Sequence, residues 1–159
     1  LRWGVVKDYS TFFQSKEYID TVFVPIIPVS FDKNGEAEAN ASEFIQLIAT
    51  EVERQFRGRI LLLPPLVYFT TYTVNDKQEI ITRWINNIIK EKFNHIFFIS
   101  SNSAWTNIIE NIGGNHIWIP TIPLEYVDEK NKKRLIEKQA NQIFDFFITE
   151  WQKAEKLNN

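Results

Sequence analysis

The chain contains no cysteine, no methionine, two histidines and only five glycines among its 159 residues. Without cysteine there can be no disulfide, no thiolate metal site and no cysteine nucleophile. Two histidines leave little material for the general base that a hydrolytic triad needs within hydrogen-bond reach of its nucleophile. No H-E-x-x-H or other zinc-ligand spacing occurs, so no metal site is expected. The few glycines form neither G-x-G-x-x-G nor a Walker loop, so no dinucleotide or nucleoside triphosphate cofactor of a familiar kind is expected either. Neither sign of charge dominates. With 18 basic and 20 acidic side chains the net charge is −2, which removes the electrostatic argument for nucleic acid as a partner. Long hydrophobic runs are missing too: the apolar stretches at 22–29 and 60–68 are interrupted by prolines and fall short of the ~20 residues that span a bilayer. Membrane insertion is not expected, the first residues have no signal-peptide pattern, and a cytoplasmic location is the default expectation.

What is abundant is aromatic: 14% of the residues, 13 of them Phe. The length fits one domain, 1–159, of the usual ~100–200 residues. Apolar runs at 22–29 (VFVPIIPV), 60–63 (ILLL), 96–99 (IFFI) and 117–119 (IWI) read as strands buried on both faces. The two prolines of the first run remove ladder donors and suggest an edge position, a bulge or an early end. Between the runs lie helical patterns. Ser10 caps a first helix over 11–18, Ser42 caps one reaching 56, and Asn75 or Asp76 caps a third with Ile81, Ile85 and Ile88 on one face. A short helix begins near Asn102, and a long one covers 129–156. Alternation of strand and helix gives a three-layer α/β/α sandwich around a mainly parallel four-stranded sheet, strand order 2-1-3-4, creatininase-like or flavodoxin-like.

In such a sheet ligands bind beyond the carboxyl ends of the strands. That edge should collect the loop at 30–41 with Ser30 and Asp32, the loop at 64–74 with Tyr68, the segment Ser100, Ser101, Asn102 and Ser103, and Glu125 further on. Twelve residues is long for a strand-to-helix connection, where ~2–6 is usual. Hydroxyl residues opening a helix suit either an N-cap or a small anionic ligand held by backbone N–H groups. His95 and His116 each precede a strand and should lie at the opposite, amino edge. Lys130, Lys132, Lys133 and Arg134 open the last helix, where its dipole disfavours cations. On the last helix Phe146 and Ile148 widen the apolar stripe, so Phe146 and Trp151 are candidates for a protein partner or self-association.

Two resemblances add to this. KEYIDT at 16–21, VPIIP at 24–28, EFIQL at 43–47 and ERQFRGRI at 53–60 resemble the YpiF-type family of spore-forming Gram-positive bacteria. That resemblance implies no activity; the neighbourhood of its gene and those of the menaquinol–cytochrome c reductase implies a link to respiratory-complex biogenesis. A strand ending in a proline-containing loop, then a helix, then Leu63-Pro64-Pro65-Leu66-Val67-Tyr68 is similar to the opening of creatininase-type amidohydrolases. Those enzymes hold two metal ions through histidine-bearing loops, and the corresponding stretches here, 30–35 and 100–103, contain no histidine. The reading that follows is a non-enzymatic binding or assembly protein on a degenerate enzyme fold. The alternative is a hydrolase acting through carboxylates, such as Asp32 and Glu125, and hydroxyls.

Overall fold

A computed structural model of the chain describes residues 1–91 and 93–158. Five strands, β1 (Thr21–Val29), β2 (Ile60–Leu62), β3 (Leu66–Phe69), β4 (His95–Ser100) and β5 (Asn115–Trp118), alternate with helices α1 (Val6–Gln14), α2 (Gly35–Gln55), α3 (Val74–Lys90), α4 (Trp105–Glu110) and α5 (Glu129–Asn158). Every strand pair is parallel. The order is β2-β1-β4-β5, with β3 also paired to β1. The sandwich and the order of the four expected strands are as the alternation predicts, and β3 is a fifth strand that the expectation of four left out.

The second lane of the sheet is a strand in two pieces. β2 pairs with Thr21 to Phe23 of β1, and β3 with Ile26 to Val29. Leu63, Pro64 and Pro65 bulge between them opposite Val24 and Pro25. Thr21 N–H bonds to Arg59 O and Leu63 N–H to Phe23 O, which puts the odd-numbered backbone groups of β1 on the side of this lane. The donor that Pro25 lacks therefore faces the bulge, where no partner waits. Pro28 faces the β4 lane, but β4 pairs with β1 only as far as Pro25. Both prolines sit where the ladder has no bond to lose, and β1 is an interior strand of nine residues rather than the edge or shortened strand that proline suggests.

Alternate side chains of β1 enter two cores. Phe23 joins α2 and α5, where Phe147 meets it edge-on at 5.1 Å and meets Phe97 at 4.4 Å. Val22, Val24 and Ile26 join α3 and α4. Burial on both faces is why the strand reads as an unbroken apolar run. Aromatic pairs of this kind add ~0.5–1.5 kcal/mol each beyond the area they bury.

Several helix boundaries differ from the periodicity. α1 starts at Val6, not after Ser10, whose hydroxyl bonds back to Val6 O inside the helix. α2 starts at Gly35: its first turns, rich in Ala and Glu, are good helix formers without an apolar stripe, so they read as loop. Ser42 is thus interior and its hydroxyl reaches Glu38 O and Pro28 O. The cap of α3 is Thr73, two residues earlier than Asn75. Its hydroxyl accepts from Asp76 N–H while the Asp76 carboxylate accepts from Thr73 N–H, a complete capping box.

Candidate functional site

At the carboxyl edge of the sheet lies a groove of about 1170 Å³. Its floor is formed by Pro28 at the end of β1, Tyr68 of β3 and the turn after β4. One wall is the start of α2, and the other runs from Trp118 of β5 to the first turn of α5. The position follows from topology: β1 and β4 are adjacent, the chain leaves them toward opposite faces, and a crevice opens between the departing loops. Asn40 fastens the two walls, its amide donating to Ile122 O at 3.5 Å and its carbonyl accepting from Leu124 N–H at 3.3 Å. Lys132 does the same from α5, donating to Glu43 of α2 at 2.9 Å. That contact, which also raises the Lys132 pKa, explains a cation at a helix start where the dipole alone disfavours it.

Tyr68 is the polar group on the floor. It is 3% exposed, its ring meets Trp105 edge-on at 5.0 Å, and Lys77 Nζ lies 5.6 Å from its centre. Its hydroxyl bonds to no described residue and, unlike the Trp105 indole nitrogen, is not an enclosed unpartnered atom, so it opens to the groove. Behind it Trp105 is fully buried, and its Nε1–H has no acceptor among the described residues. The rim is acidic. Glu36, Glu38, Glu43, Glu125 and Glu129 face Lys33 and Lys132, one of which is already tied to Glu43.

The segment after β4 is occupied with itself. Ser100 is buried; its hydroxyl donates to Asn102 O at 3.1 Å and lies 2.7 Å from His116 Nε2. Asn102 N–H reaches Ser100 Oγ at 3.4 Å, Ala104 N–H reaches Asn102 Oδ1, and Trp105 and Thr106 N–H reach the carbonyls of Asn102 and Ser103. The backbone donors that would hold a small anion at Ser100–Ser103 are thus largely spent, and α4 is only six residues long. Ser101 and Asn102 do line the groove, with Trp118 Nε1 donating to Ser101 O at 3.2 Å.

His116 is not at the amino edge. β5 pairs with Phe97 to Ser100, so it is displaced toward the carboxyl end and sets His116 opposite Phe98. From there the ring bridges Ser100 Oγ and Thr106 Oγ1, the latter 2.8 Å from Nδ1. With the Ser100 proton directed at Asn102 O, Nε2 carries hydrogen and Nδ1 accepts from Thr106. Burial pushes its pKa down to about 4, so the ring is neutral at pH 7 and holds β4, β5 and α4 together. His95, the first residue of β4, is at the amino edge as expected and is buried.

The remaining sequence candidates scatter. Asp32 accepts from Asn34 N–H at 2.7 Å and lies near the Ser30 hydroxyl; these bonds hold its pKa below the usual carboxylate range and make it a turn-closing group. Ser30 lines a smaller hollow of about 560 Å³ under α2. Glu125 is on the groove rim. Ser30, Asp32 and Ser100 are therefore outside the groove that Tyr68, Ser101, Asn102 and Glu125 share. No group of three or more His, Asp or Glu among the described residues converges as a metal site. Phe146 is 52% exposed, whereas Trp151 is buried at 6% and its Nε1 donates to Thr21 Oγ1 at 2.8 Å, which assigns it to the core and not to an interface. What the sequence did not single out is the start of α2 as a groove wall and Trp118 beside it. Alanine and glutamate at 36–41 were the signal for that early helix start.

A profile of the family described as "Protein of unknown function (DUF2487)" matches residues 10–151. The chain is also similar to a protein of Bacillus subtilis (strain 168) named "Uncharacterized protein YpiF", 29% identical over 154 residues that cover 95% of this chain and 98% of the other. No solved structure, of a creatininase-type enzyme or of any other protein, matches it. No helix among the described residues is long and apolar enough to cross a membrane.

Proposed function

The chain belongs to the DUF2487 family, and we propose that it is a non-enzymatic binding protein that holds a small organic cation in the groove at the carboxyl edge of its sheet. The observation that carries this reading is Tyr68, whose ring is buried and whose hydroxyl opens on the floor of a groove with five carboxylates against two ammonium groups on its rim. A cleft lined mainly by one sign of charge concentrates ions of the opposite sign, and a hydroxyl set on a rigid strand orients what enters. Side chains that would otherwise suit chemistry are committed to structure: Ser100 to His116 and Asn102, Asp32 to its own turn.

Titration calorimetry and amide chemical shifts with a set of primary and quaternary amines at low salt test it. Binding should shift Ser101, Asn102 and the Trp118 indole. Tyr68→Phe should weaken it about two- to tenfold, the worth of one hydrogen bond. Glu125→Gln should weaken it and flatten the salt dependence. Carboxylates or phosphates binding as well as amines would overturn the proposal, and mass spectrometry showing the bound amine converted would overturn the non-enzymatic part. The link to respiratory-complex biogenesis that the YpiF-type resemblance implies belongs to the same proposal. A strain lacking the gene but with normal levels of assembled menaquinol–cytochrome c reductase would remove that link.

A further inference from the structure

The broken second lane leaves the sheet with one half of an edge closed and the other half bare. Beside β2, residues Leu1 to Trp3 run parallel to the strand: Leu62 N–H donates to Leu1 O and Trp3 N–H to Leu62 O, both at 2.8 Å. Among the described residues no segment does this for β3, which pairs there with β1 alone. Thr70 N–H donates to Val29 O, so by alternation the backbone groups of Leu66 and Tyr68 face β1 and those of Val67 and Phe69 face outward. There the Phe69 carbonyl accepts from Tyr72 N–H of the following turn at 2.9 Å, and the two N–H groups and the Val67 carbonyl meet no backbone partner among the described residues. The Val67 and Phe69 side chains are also uncovered, at 44% and 42% exposure, and the almost fully exposed Phe31 ring lies 6.3 Å from that of Phe69. They project on the α2 side of the sheet, next to the hollow floored by Ile27 and Val29.

An edge that must stay single is usually guarded by a lysine, an inward charge or a proline. From residue 60 to residue 75 the sequence has no charged side chain, and its two prolines, Pro64 and Pro65, lie in the bulge before β3 rather than on it. An extended segment with charges at the contacting positions would bury them unpaired against Val67 and Phe69. The surface therefore suits a strand as uncharged and apolar as itself, and the chain carries that strand. A two-fold contact places the same patch on both sides, so each Val67 and Phe69 meets apolar side chains, with no like charges brought together.

We infer that β3 is a homodimerisation edge: two copies pair antiparallel through Val67–Phe69, joining their sheets into one and covering Phe31 and Phe69. This pairing needs no ligand in the groove and stands apart from the function proposed above. Sedimentation velocity across a concentration series should give twice the chain mass for the wild type. The amides of Val67 and Phe69 should exchange hydrogen more slowly as concentration rises. Val67→Pro removes an outward-facing donor without touching a bond to β1, and Phe69→Lys puts a charge on an exposed position; each should sediment as a monomer with unchanged far-ultraviolet circular dichroism, while Val67→Ile remains a dimer. Should Val67→Pro fail to fold, Phe69→Lys decides. A wild type that stays monomeric to the limit of its solubility, or folded Phe69→Lys that sediments as a dimer, overturns the inference.

Discussion

The guanidinium of Arg59 lies over the Trp151 ring, 4.1 Å from its centre, and joins the residue that leads into β2 to the last turns of α5. The same guanidinium forks onto Asp20 through two bonds of 3.0 Å, and the indole N–H reaches Thr21, whose hydroxyl also bonds Asp20. Four residues from three distant parts of the chain thus close the amino edge of the sheet. Trp151→Ala removes a buried ring that also packs edge-on against Phe56, and urea unfolding should show a loss of ~3–5 kcal/mol. Trp151→Phe keeps much of the packing and should lose less. A loss below ~1 kcal/mol for the alanine variant would mean that α5 is not docked as described.

Stability should fall as pH drops from about 6.5 to about 4, partly through His116. Its folded pKa is about 4 against an ordinary value of 6.5, so below 6.5 the unfolded chain takes up a proton that the fold refuses. The loss from this group levels off below pH 4 and amounts to at most ~3 kcal/mol. Burial also lowers the His95 pKa, so it acts in the same direction. Glutamine at 116 carries no such proton: His116→Gln should be less stable than wild type at pH 7, and the gap should narrow by pH 4. Unfolding curves at the two pH values check this, and a constant gap would contradict it.

The capping box at Thr73 is exposed and local. Thr73→Ala should cost ~1 kcal/mol, and Thr73→Ser should restore most of it. Thermal melts of the pair are sufficient to tell.

Gly35 opens α2 where a Cβ would sit 2.9 Å from Ser30 O, a backbone atom that cannot swing away. Gly35→Ala should therefore displace the Ser30–Asn34 turn, lower stability, and move the amide shifts of Lys33 and Glu36 on the groove wall. Unchanged shifts there would show that the turn gives way freely.

The legible part of this fold is the part whose residues are buried on both sides. β1, β4 and the β2 run are continuous apolar strings, and α3 has its isoleucines at helical spacing, so strands, layers and strand order followed from the sequence. β3 did not, because its four residues follow Pro64-Pro65 and, with Val67 and Phe69 exposed, lack the two-sided burial of β1, β2 and β4. Tyr68, Ser101, Asn102 and Glu125 were legible as groove residues because the carboxyl-edge rule needs only topology. Ser100 and Asp32 passed the same rule and failed on geometry, since neighbouring backbone had already claimed them. The position of His116 depended on the offset of β5 along β4, a register no single-strand pattern contains. Trp151 shares the helical face of Ile136, Ala140, Ile143 and Phe147, whereas Phe146 lies about 140° round the helix from it, and the structure buries the first and leaves the second half exposed.

Pro25 and Pro28 have a consequence that precedes the native state. A nascent chain exposing Thr21–Val29 displays nine apolar or β-branched residues without a charge, the composition that stacks into cross-β aggregates. None of its strand partners is local: β2 begins at Ile60 and β4 at His95, so the segment must wait while distant chain is made and gathered. A proline near the middle of that stretch and another near its end deny a stacking neighbour the donors it needs, and in the finished sheet they face the bulge and the open end of the β4 lane. The segment is guarded while it waits, and the fold that later holds it loses no ladder bond to the guard.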